Sequence, residues 1–271
     1  MCKMQSAQIF LRALLLSLIL LALGCGAPAQ PPAAPENPVL VLMVMGQSNA
    51  IGADTEEAPA GLPDASIQFW RNDYHYNDGA HAFGPLDVAP RGTFSHEIRL
   101  AQRLKAAGHD VVVIKIAQGG TYINRWIPTA KMPAAGAKLY GEVTEAISAL
   151  RVARPGVPLR FLWVWDQGES EARYKDQPTV ERWSDNFFEI QRGMEQVVGE
   201  PLEPFVVRTC STITGKTYPG LLESEQASVA TPTHLIDSND SEFRPDNVHR
   251  IGRSQNKLGD RIADVVLNEA L

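Results

Sequence analysis

Residues 39–49 read Val-Leu-Val-Leu-Met-Val-Met-Gly-Gln-Ser-Asn, and no other segment says more about the architecture. A continuous apolar run is typical of a strand buried on both faces, as the strands of a parallel sheet are. The run breaks at a glycine, and Ser48 follows two residues later. Enzymes built on parallel sheets expose a nucleophile at this position, although many serines there only cap the next helix. The segment therefore predicts a parallel sheet and makes Ser48 a candidate nucleophile.

Strand and helix patterns alternate along the rest of the chain. Apolar runs predict further strands at residues 111–117, 159–165, 205–209 and, more weakly, 233–237. Apolar residues at helical spacing predict helices at residues 95–107, 138–154, 180–198 and 251–271. This alternation predicts an α/β fold, a three-layer α/β/α sandwich with a mainly parallel central sheet and right-handed crossovers.

The stretch 49–93 has no clear periodicity and is rich in glycine, asparagine, aspartate and aromatic residues. An irregular region of this length is usually functional. Its aromatic side chains are expected either to line a sugar-binding cleft or to form a satellite hydrophobic cluster. They are Trp70, Tyr74, Tyr76 and Phe83.

The composition fits one globular domain that does not bind nucleic acid. The chain has 271 residues, of which 44% are hydrophobic and 21% charged, enough for one sizeable core. Its net charge is −6 and it has no block of basic residues, which argues against nucleic acid as a partner. Residues 39–271 contain no internal repeat and no second linker, so we expect a single domain there.

Residues 1–25 have the pattern of a signal peptide. Basic residues precede an apolar core at 13–23, which is too short to span a membrane as a helix. The sequence Leu-Ala-Leu-Gly-Cys at 21–25 resembles the processing site of bacterial lipoproteins, so Cys25 is expected to carry a lipid. The alternative is ordinary cleavage near Ala27 or Ala29. We therefore expect an exported protein that is lipid-anchored to a bacterial membrane, or otherwise periplasmic or secreted.

Residues 26–38 are rich in proline and alanine and predict an extended tether between the leader and the domain. The other cysteines are Cys2 in the leader and Cys210 in the domain. After processing, Cys210 has no partner within the domain, so no structural disulfide is expected. Cys210 follows an apolar run and is expected to be a small buried hydrophobic residue.

Polar, chemically active residues gather at strand ends and directly before the last helix. The clusters are residues 46–49 (Gly-Gln-Ser-Asn), 118–121 (Gln-Gly-Gly-Thr), 165–170 (Trp-Asp-Gln-Gly-Glu-Ser) and 246–249 (Asp-Asn-Val-His). In open α/β sheets the ligand site lies beyond the carboxyl ends of the strands. We therefore expect these clusters to converge on one site.

The clusters contain every group that acyl transfer needs. Ser48 would attack a carbonyl carbon, His249 would serve as its base, and Asp246 would hold the other ring nitrogen of His249. The backbone N–H groups of Ser48 and Gly120 and the side-chain amide of Gln167 are candidate donors to the oxyanion.

Gln47, Asn49 and Glu169 are expected to support these groups without touching the reacting atoms. Glu169 is the ambiguous one. It would orient the Gln167 loop or His249, act as an alternative acid partner, or be a solvated loop carboxylate.

The choice of His249 among six histidines rests on its support. His81 has the same Asp-x-x-His spacing but lies in the irregular region, whereas His249 is anchored by the helix that follows. His96, near a helix start, is expected at the surface or behind the site.

Other chemistries lack their residue patterns. Residues 237–248 begin like a calcium loop but carry Glu242 at the turn-glycine position and Val248 at the bidentate-glutamate position. The glycine pair 119–120 has no phosphate-loop motif around it, and no His/Cys/Asp cluster has zinc-ligand spacing. No cofactor or metal is implied.

Taken together, the motifs at 46–49, 115–121 (Lys-Ile-Ala-Gln-Gly-Gly-Thr), 165–170 and 246–249 resemble the sialate O-acetylesterase domain family. That family is akin to carbohydrate esterase family six, within the SGNH hydrolase superfamily. The resemblance spans nearly the whole predicted domain. It implies a flavodoxin-like sandwich and metal-independent removal of acetyl groups from sugar hydroxyls. It places Ser48, Asp246 and His249 in a catalytic triad, and Gly120 and Gln167 at oxyanion positions.

The substrate within this family stays open. Ala50 stands where many members have methionine, and Gln118 where lysine is frequent before the glycine pair. Acetylated xylan, sialic acid, peptidoglycan and other glycans are all compatible. Two other functions also remain, a non-catalytic glycan-binding surface lipoprotein on the same scaffold and an esterase of non-sugar short-chain esters. The expected partners are an acetylated glycan or sugar and, only through Cys25, a membrane.

Overall fold

A central sheet of seven strands runs through the described part of the chain, which comprises residues 37–52, 57–73, 81–88, 93–127, 136–173, 177–209 and 218–270 of the computed structural model. The strands are β1 (Val39–Gly46), β2 (Asp64–Asp73), β3 (Phe83–Leu86), β4 (Val111–Ala117), β5 (Leu159–Asp166), β6 (Pro204–Val207) and β7 (Leu235–Ile236). Their spatial order is β3-β2-β4-β1-β5-β6-β7. Strand pairs are parallel except for the antiparallel pair β2–β3.

The sheet is covered by helices on both faces. They are α1 (Ser48–Ile51), α2 (His96–Ala106), α3 (Gly136–Ala153), α4 (Glu169–Arg173), α5 (Gln177–Glu181), α6 (Trp183–Val198), α7 (Pro219–Val229) and α8 (Gly252–Val265), with a 3₁₀ turn at Ile123–Trp126 and a π-helical turn at Val266–Ala270. Within the described residues, no helix combines the length and apolarity needed to cross a membrane.

The unbroken apolar run of β1 has a structural cause, since every residue of the strand is buried. Val41 and Met43 face the core shared with α3 and α6, whereas Leu42 and Val44 face the core shared with α2 and α8. Successive side chains of a strand point to opposite faces, so a strand between two helical layers needs apolar residues at every position. The predicted three-layer α/β sandwich is confirmed.

β1 lies at the centre of the sheet, between β4 and β5. The chain fills one side of β1 with β2, β3 and β4 and then crosses to the other side with β5, β6 and β7. Such a reversal of strand order opens a crevice at the carboxyl ends of the central strands. The crevice therefore lies where β1 ends and α1 begins.

The region 49–93 is more regular than its sequence suggests, because it contains β2 and β3. Trp70 on β2 is 2% exposed and packs edge-on against Phe83 of β3, with ring centroids 5.2 Å apart. This pair belongs to the main hydrophobic core rather than to a separate satellite cluster, and neither ring lines the cleft described below.

Several expectations fall outside the described residues. They concern the leader at 1–25, the tether up to residue 36, Cys25, Cys210, Tyr74 and Tyr76.

Candidate active site

The polar clusters predicted at the strand ends meet around one cleft of about 450 Å³. It opens at the carboxyl ends of β1, β4 and β5. Residues from all four sequence clusters line it, together with two arginines from α4 and from the segment before α8. Its lining includes Ser48, Gly120, Glu169, Arg173, Arg244 and His249, with Gln47, Ser170 and Asp246 beside them.

The turn after β1 presents Ser48 to this cleft. Gly46 adopts φ +149°, and a Cβ atom placed on it would lie 2.0 Å from the carbonyl oxygen of Asp166 on β5. Only glycine permits this approach. The N–H of Gln47 donates to the same oxygen (3.0 Å), and half-buried Ser48 is the first residue of α1. The end of β5 thus fixes where the β1 turn places Ser48.

The side chain of Gln47 connects the turn after β1 to the segment after β5. Its side-chain Oε1 accepts hydrogen bonds from the backbone N–H groups of Gly168 (3.4 Å) and Ser170 (3.3 Å). Gln47 is 2% exposed, so these contacts satisfy a buried amide oxygen and tie β1 to the start of α4.

Asp246 and His249 form a hydrogen-bonded pair at the cleft. Asp246 Oδ2 lies 2.6 Å from His249 Nδ1, and Oδ1 accepts the backbone N–H groups of Val248 (2.8 Å) and His249 (3.0 Å). Burial opposes ionisation of Asp246, but these hydrogen bonds outweigh it and lower its pKa to about 2. Asp246 is therefore a carboxylate at neutral pH and favours the tautomer of His249 that carries its proton on Nδ1.

Asn49 joins the segment of His249 to the turn of Ser48. Its Nδ2 donates to the carbonyl oxygen of Val248 (3.1 Å), and its Oδ1 accepts the backbone N–H of Arg250 (3.0 Å). The two residues that flank His249 are thus held by one fully buried amide. The sequence predicts a supporting role for Asn49, and these contacts show what it supports.

Gln167 lies behind the cleft and is not among the residues that line it. Its Nε2 donates to Glu171 Oε2 (2.6 Å), to the carbonyl oxygen of Thr121 (3.1 Å) and to Gln47 Oε1 (3.3 Å). Its Oε1 accepts the indole N–H of Trp183 (2.9 Å). Because its amide hydrogens are directed at internal acceptors, this arrangement favours a supporting role for Gln167 over the expected donation to an oxyanion. Gly120, by contrast, lines the cleft with φ +67° and open space on its Cα.

Glu169 reaches the cleft wall but is only 1% exposed, so it is not a solvated loop carboxylate. Asn49 Nδ2 donates to its Oε1 at 2.5 Å. Burial, followed by the nearby carboxylate of Asp166, raises the pKa of Glu169.

A buried ionic group beneath the cleft is absent from the sequence predictions. Arg250 Nη1 donates to Asp166 Oδ2 (2.7 Å), and His96 Nδ1 lies 3.7 Å from the same oxygen. His96 is fully buried rather than at the surface, and burial lowers the pKa of its imidazole. The sequence offered only the positions of these residues as a sign of this group, since Asp166 ends a predicted strand and Arg250 directly follows the candidate base.

A second buried pair lies at the foot of α1. Lys115 Nζ donates to Glu97 Oε1 (2.7 Å) and to the carbonyl oxygen of Ile51 (2.7 Å), and both charged side chains are at most 2% exposed. A lysine in the middle of an apolar strand pattern signals such a partner, because an unpaired buried charge is costly.

His81 is not near these groups. It pairs with Glu142 and Glu145 of α3 and does not line the cleft. The structure therefore brings His249, and not His81, to the same cleft as Ser48.

Comparison with known proteins agrees with this architecture. The family model "carbohydrate esterase, sialic acid-specific acetylesterase" matches residues 38–268. No curated protein matches the chain in sequence. Among solved structures, a protein from Arabidopsis thaliana matches with a TM-score of 0.66 and 17% identity over 86% of this chain and 99% of its own.

Two further structures are esterases by name. A carbohydrate acetylesterase from Xanthomonas citri matches with a TM-score of 0.59 and 17% identity over 84% of this chain and 55% of its own, so this chain spans about half of that protein. The inhibitor-bound aryl esterase of M. smegmatis gives a TM-score of 0.50 and 17% identity over 84% and 98% of the two chains. At these identities the likeness shows a shared fold. Because the family model covers nearly all of the domain, the chain belongs to the carbohydrate esterases of the sialic acid-specific acetylesterase family, as the motifs predicted.

Proposed function

We propose that this esterase removes acetyl groups from sugar hydroxyls through an acyl-enzyme on Ser48. The observation that carries the proposal is the shared cleft. Ser48 at the end of β1 and the His249–Asp246 pair before α8 line the same cavity, although they lie at opposite ends of the domain sequence. Family membership supports ester hydrolysis, and the cleft supports these residues as its machinery.

In this mechanism His249 acts as the base. With the Nδ1 proton held by Asp246, the ring keeps a lone pair on Nε2, which takes the proton of Ser48 Oγ as this oxygen attacks the acetyl carbonyl carbon. The backbone N–H groups of Ser48 and Gly120 stabilise the oxyanion. Protonated His249 then gives its proton to the departing sugar oxygen. Water, activated by His249 in turn, releases acetate from Ser48.

The charges of the cleft support an acidic sugar as the substrate. Arg173 and Arg244 both line it, and a guanidinium can bind a carboxylate through two parallel N–H donors. Of the carboxyls at the cleft, Asp246 is hydrogen-bonded to His249, and burial raises the pKa of Glu169. A sugar that bears a carboxylate beside its acetyl ester fits this arrangement.

The test is hydrolysis of acetylated substrates by the parent and by Ser48→Ala. Removing the nucleophile should lower kcat for an acetyl ester by about 10³-fold or more, because triad members act as a unit. Ser170→Ala is a matched control, since it removes another serine of the same cleft and should change kcat by less than about tenfold. Undiminished turnover by Ser48→Ala would overturn the mechanism.

A panel of substrates separates the remaining alternatives. Acetate release should be faster from acetylated sialic acid than from acetylated xylo-oligosaccharides. Binding of glycans without acetate release by the parent would indicate a non-catalytic binding protein. Hydrolysis confined to small non-sugar esters would indicate the other esterase function.

We further propose that the enzyme is exported and held at a membrane by a lipid on Cys25. The support is the leader pattern of residues 1–25 and the extended tether that follows it. Mass spectrometry of the mature protein should find an N-terminal, lipid-modified Cys25. A mature chain that begins near residue 28, or one that retains the leader, would contradict this proposal.

A further inference from the structure

A cluster of one histidine and two glutamates lies outside the cleft. His81, two residues before β3, places Nδ1 3.0 Å from Glu142 Oε2 and 3.6 Å from Glu145 Oε2. The two glutamates are three residues apart on α3 and therefore point from the same helix face. One ligand atom from each of the three residues lies within 4.8 Å of the other two.

Glu142 is the unusual member. It is 5% exposed, and none of the described residues donates a hydrogen bond to its Oε2. The His81 nitrogen is close enough, but the contact lacks hydrogen-bond geometry. A buried carboxylate oxygen without a donor is costly, so the oxygen needs another positive partner.

The spacing suits a metal ion. Zinc binds imidazole nitrogen and carboxylate oxygen at about 2.0–2.2 Å, which places the ligands of a tetrahedral ion about 3.3 Å from one another. The two distances from His81 Nδ1 lie on either side of this value. An imidazole ligand also favours a first-row transition metal over calcium or magnesium, which prefer oxygen alone.

We propose that His81, Glu142 and Glu145 bind one zinc ion that fastens the start of β3 to α3. His81 and Glu145 have side chains 49% and 55% exposed, so solvent reaches the site and water completes the coordination. None of the three residues lines the active-site cleft, and the ion is structural. It stabilises β3, which is the edge strand of the sheet.

The sequence alone does not reveal these three residues as zinc ligands. About sixty residues separate His81 from Glu142, so no compact zinc motif exists. They meet because Phe83 of β3 and Val143 of α3 pack into the same hydrophobic core.

The experiment is a calorimetric titration of tag-free, EDTA-stripped protein with zinc sulfate, followed by thermal unfolding. We expect saturable binding of one zinc ion per chain that His81→Ala and Glu142→Gln abolish. Zinc about a hundredfold above its Kd should raise Tm by about 5 °C or more in the parent. His109→Ala, which removes a histidine from another part of the surface, should leave binding unchanged.

Two further measurements show whether a loss of zinc binding is caused by misfolding of the variant. His81→Ala and Glu142→Gln should hydrolyse an acetyl ester at the parental rate without zinc, since they lie outside the cleft. Glu145→Gln changes an exposed side chain and should weaken zinc binding by at least about tenfold. A parent that binds no zinc, which would leave the cluster as an ion pair only, overturns the proposal. So does zinc binding that persists in all three variants.

Discussion

Asn49 links the positions of Ser48 and His249, the proposed nucleophile and base. Its amide holds both residues that flank His249, while its own backbone follows Ser48 directly. We expect Asn49→Ala to lower kcat by about 10²-fold with little change in KM, because small displacements of a reacting group have effects of this size. Steady-state kinetics at temperatures well below the Tm of the variant will measure this.

A matched control is available on α8. Asn256→Ala removes an amide that donates to the carbonyl oxygen of Glu57, away from the cleft. It should leave kcat unchanged. If Asn49→Ala and Asn256→Ala behave alike, Asn49 does not position His249.

The proposal that the substrate is an acidic sugar can be tested at Arg244. Arg244→Gln should raise KM for an anionic acetylated sugar about tenfold more than KM for a neutral one, since hydrogen bonds to charged groups are worth about 1.5–3 kcal/mol. Arg192→Gln, on the exposed face of α6, is the control. Equal effects of Arg244→Gln on both substrates would assign Arg244 to the fold rather than to substrate recognition.

The location of a site residue could be predicted where it depends only on the residue's place in the chain relative to a strand or a helix. Ser48, Gly120 and His249 follow strands or precede a helix, and strand ends of a parallel sheet meet at one edge, so their convergence could be foreseen. The direction of a side chain could not. Gln167 occupies an equivalent position, yet its amide turns inward because Glu171 and Thr121 offer acceptors there.

At the scale of elements, the close approach of β1 and β5 organises the site. We predict that Gly46→Ala lowers the free energy of unfolding by about 3 kcal/mol or more and sharply reduces kcat, because its Cβ would collide with the backbone of Asp166. Gly156→Ala has a similar left-handed strain (φ +76°) but open space around the new atom. It should lower the free energy by only about 1–2 kcal/mol.

Urea unfolding and kinetics of both variants separate the cost of the steric clash with Asp166 from the cost of a positive φ. A Gly46→Ala protein as stable and active as Gly156→Ala would show that the β1 turn tolerates a side chain.

The buried parallel strands and amphipathic helices could be predicted, whereas β2 and β3 could not. Continuous burial leaves a clear apolar run in β1 and β4. β3 contains Gly84 and Pro85, which disfavour strands and are tolerated because β3 pairs on one side only. β2 begins and ends with aspartate, so its short apolar part resembles a loop.

At the scale of the whole molecule, the buried carboxyl of Glu171 makes stability depend on pH. Burial raises the pKa of Glu171 to about 7, although hydrogen bonds from the backbone N–H of Ile123 and from Gln167 act to lower it. Between pH 4.5 and 7 the unfolded chain loses this proton while the folded chain keeps it. The folded state then binds more protons, so stability falls as pH rises, by an amount on the order of 3 kcal/mol from this group.

We therefore expect Glu171→Gln to flatten the decline in unfolding free energy between pH 5 and pH 7.5, whatever its absolute stability. Glu169, whose pKa is also raised, leaves part of the slope in place. Urea titrations at several pH values measure the slope, with Glu181→Gln on the surface as control. A slope as steep as that of the parent would exclude Glu171 as its source.

The bond between Asn49 and Arg250 spans 201 residues of the chain. Ser48, the proposed nucleophile, directly follows the turn after β1, whereas His249, the proposed base, lies just before α8, so both are present only when the domain is nearly complete. Ester hydrolysis is therefore a reporter of complete folding. A nascent chain or a fragment that ends before His249 has Ser48 without its proposed base, and during refolding esterase activity should return only when the segment of His249 has docked against Asn49.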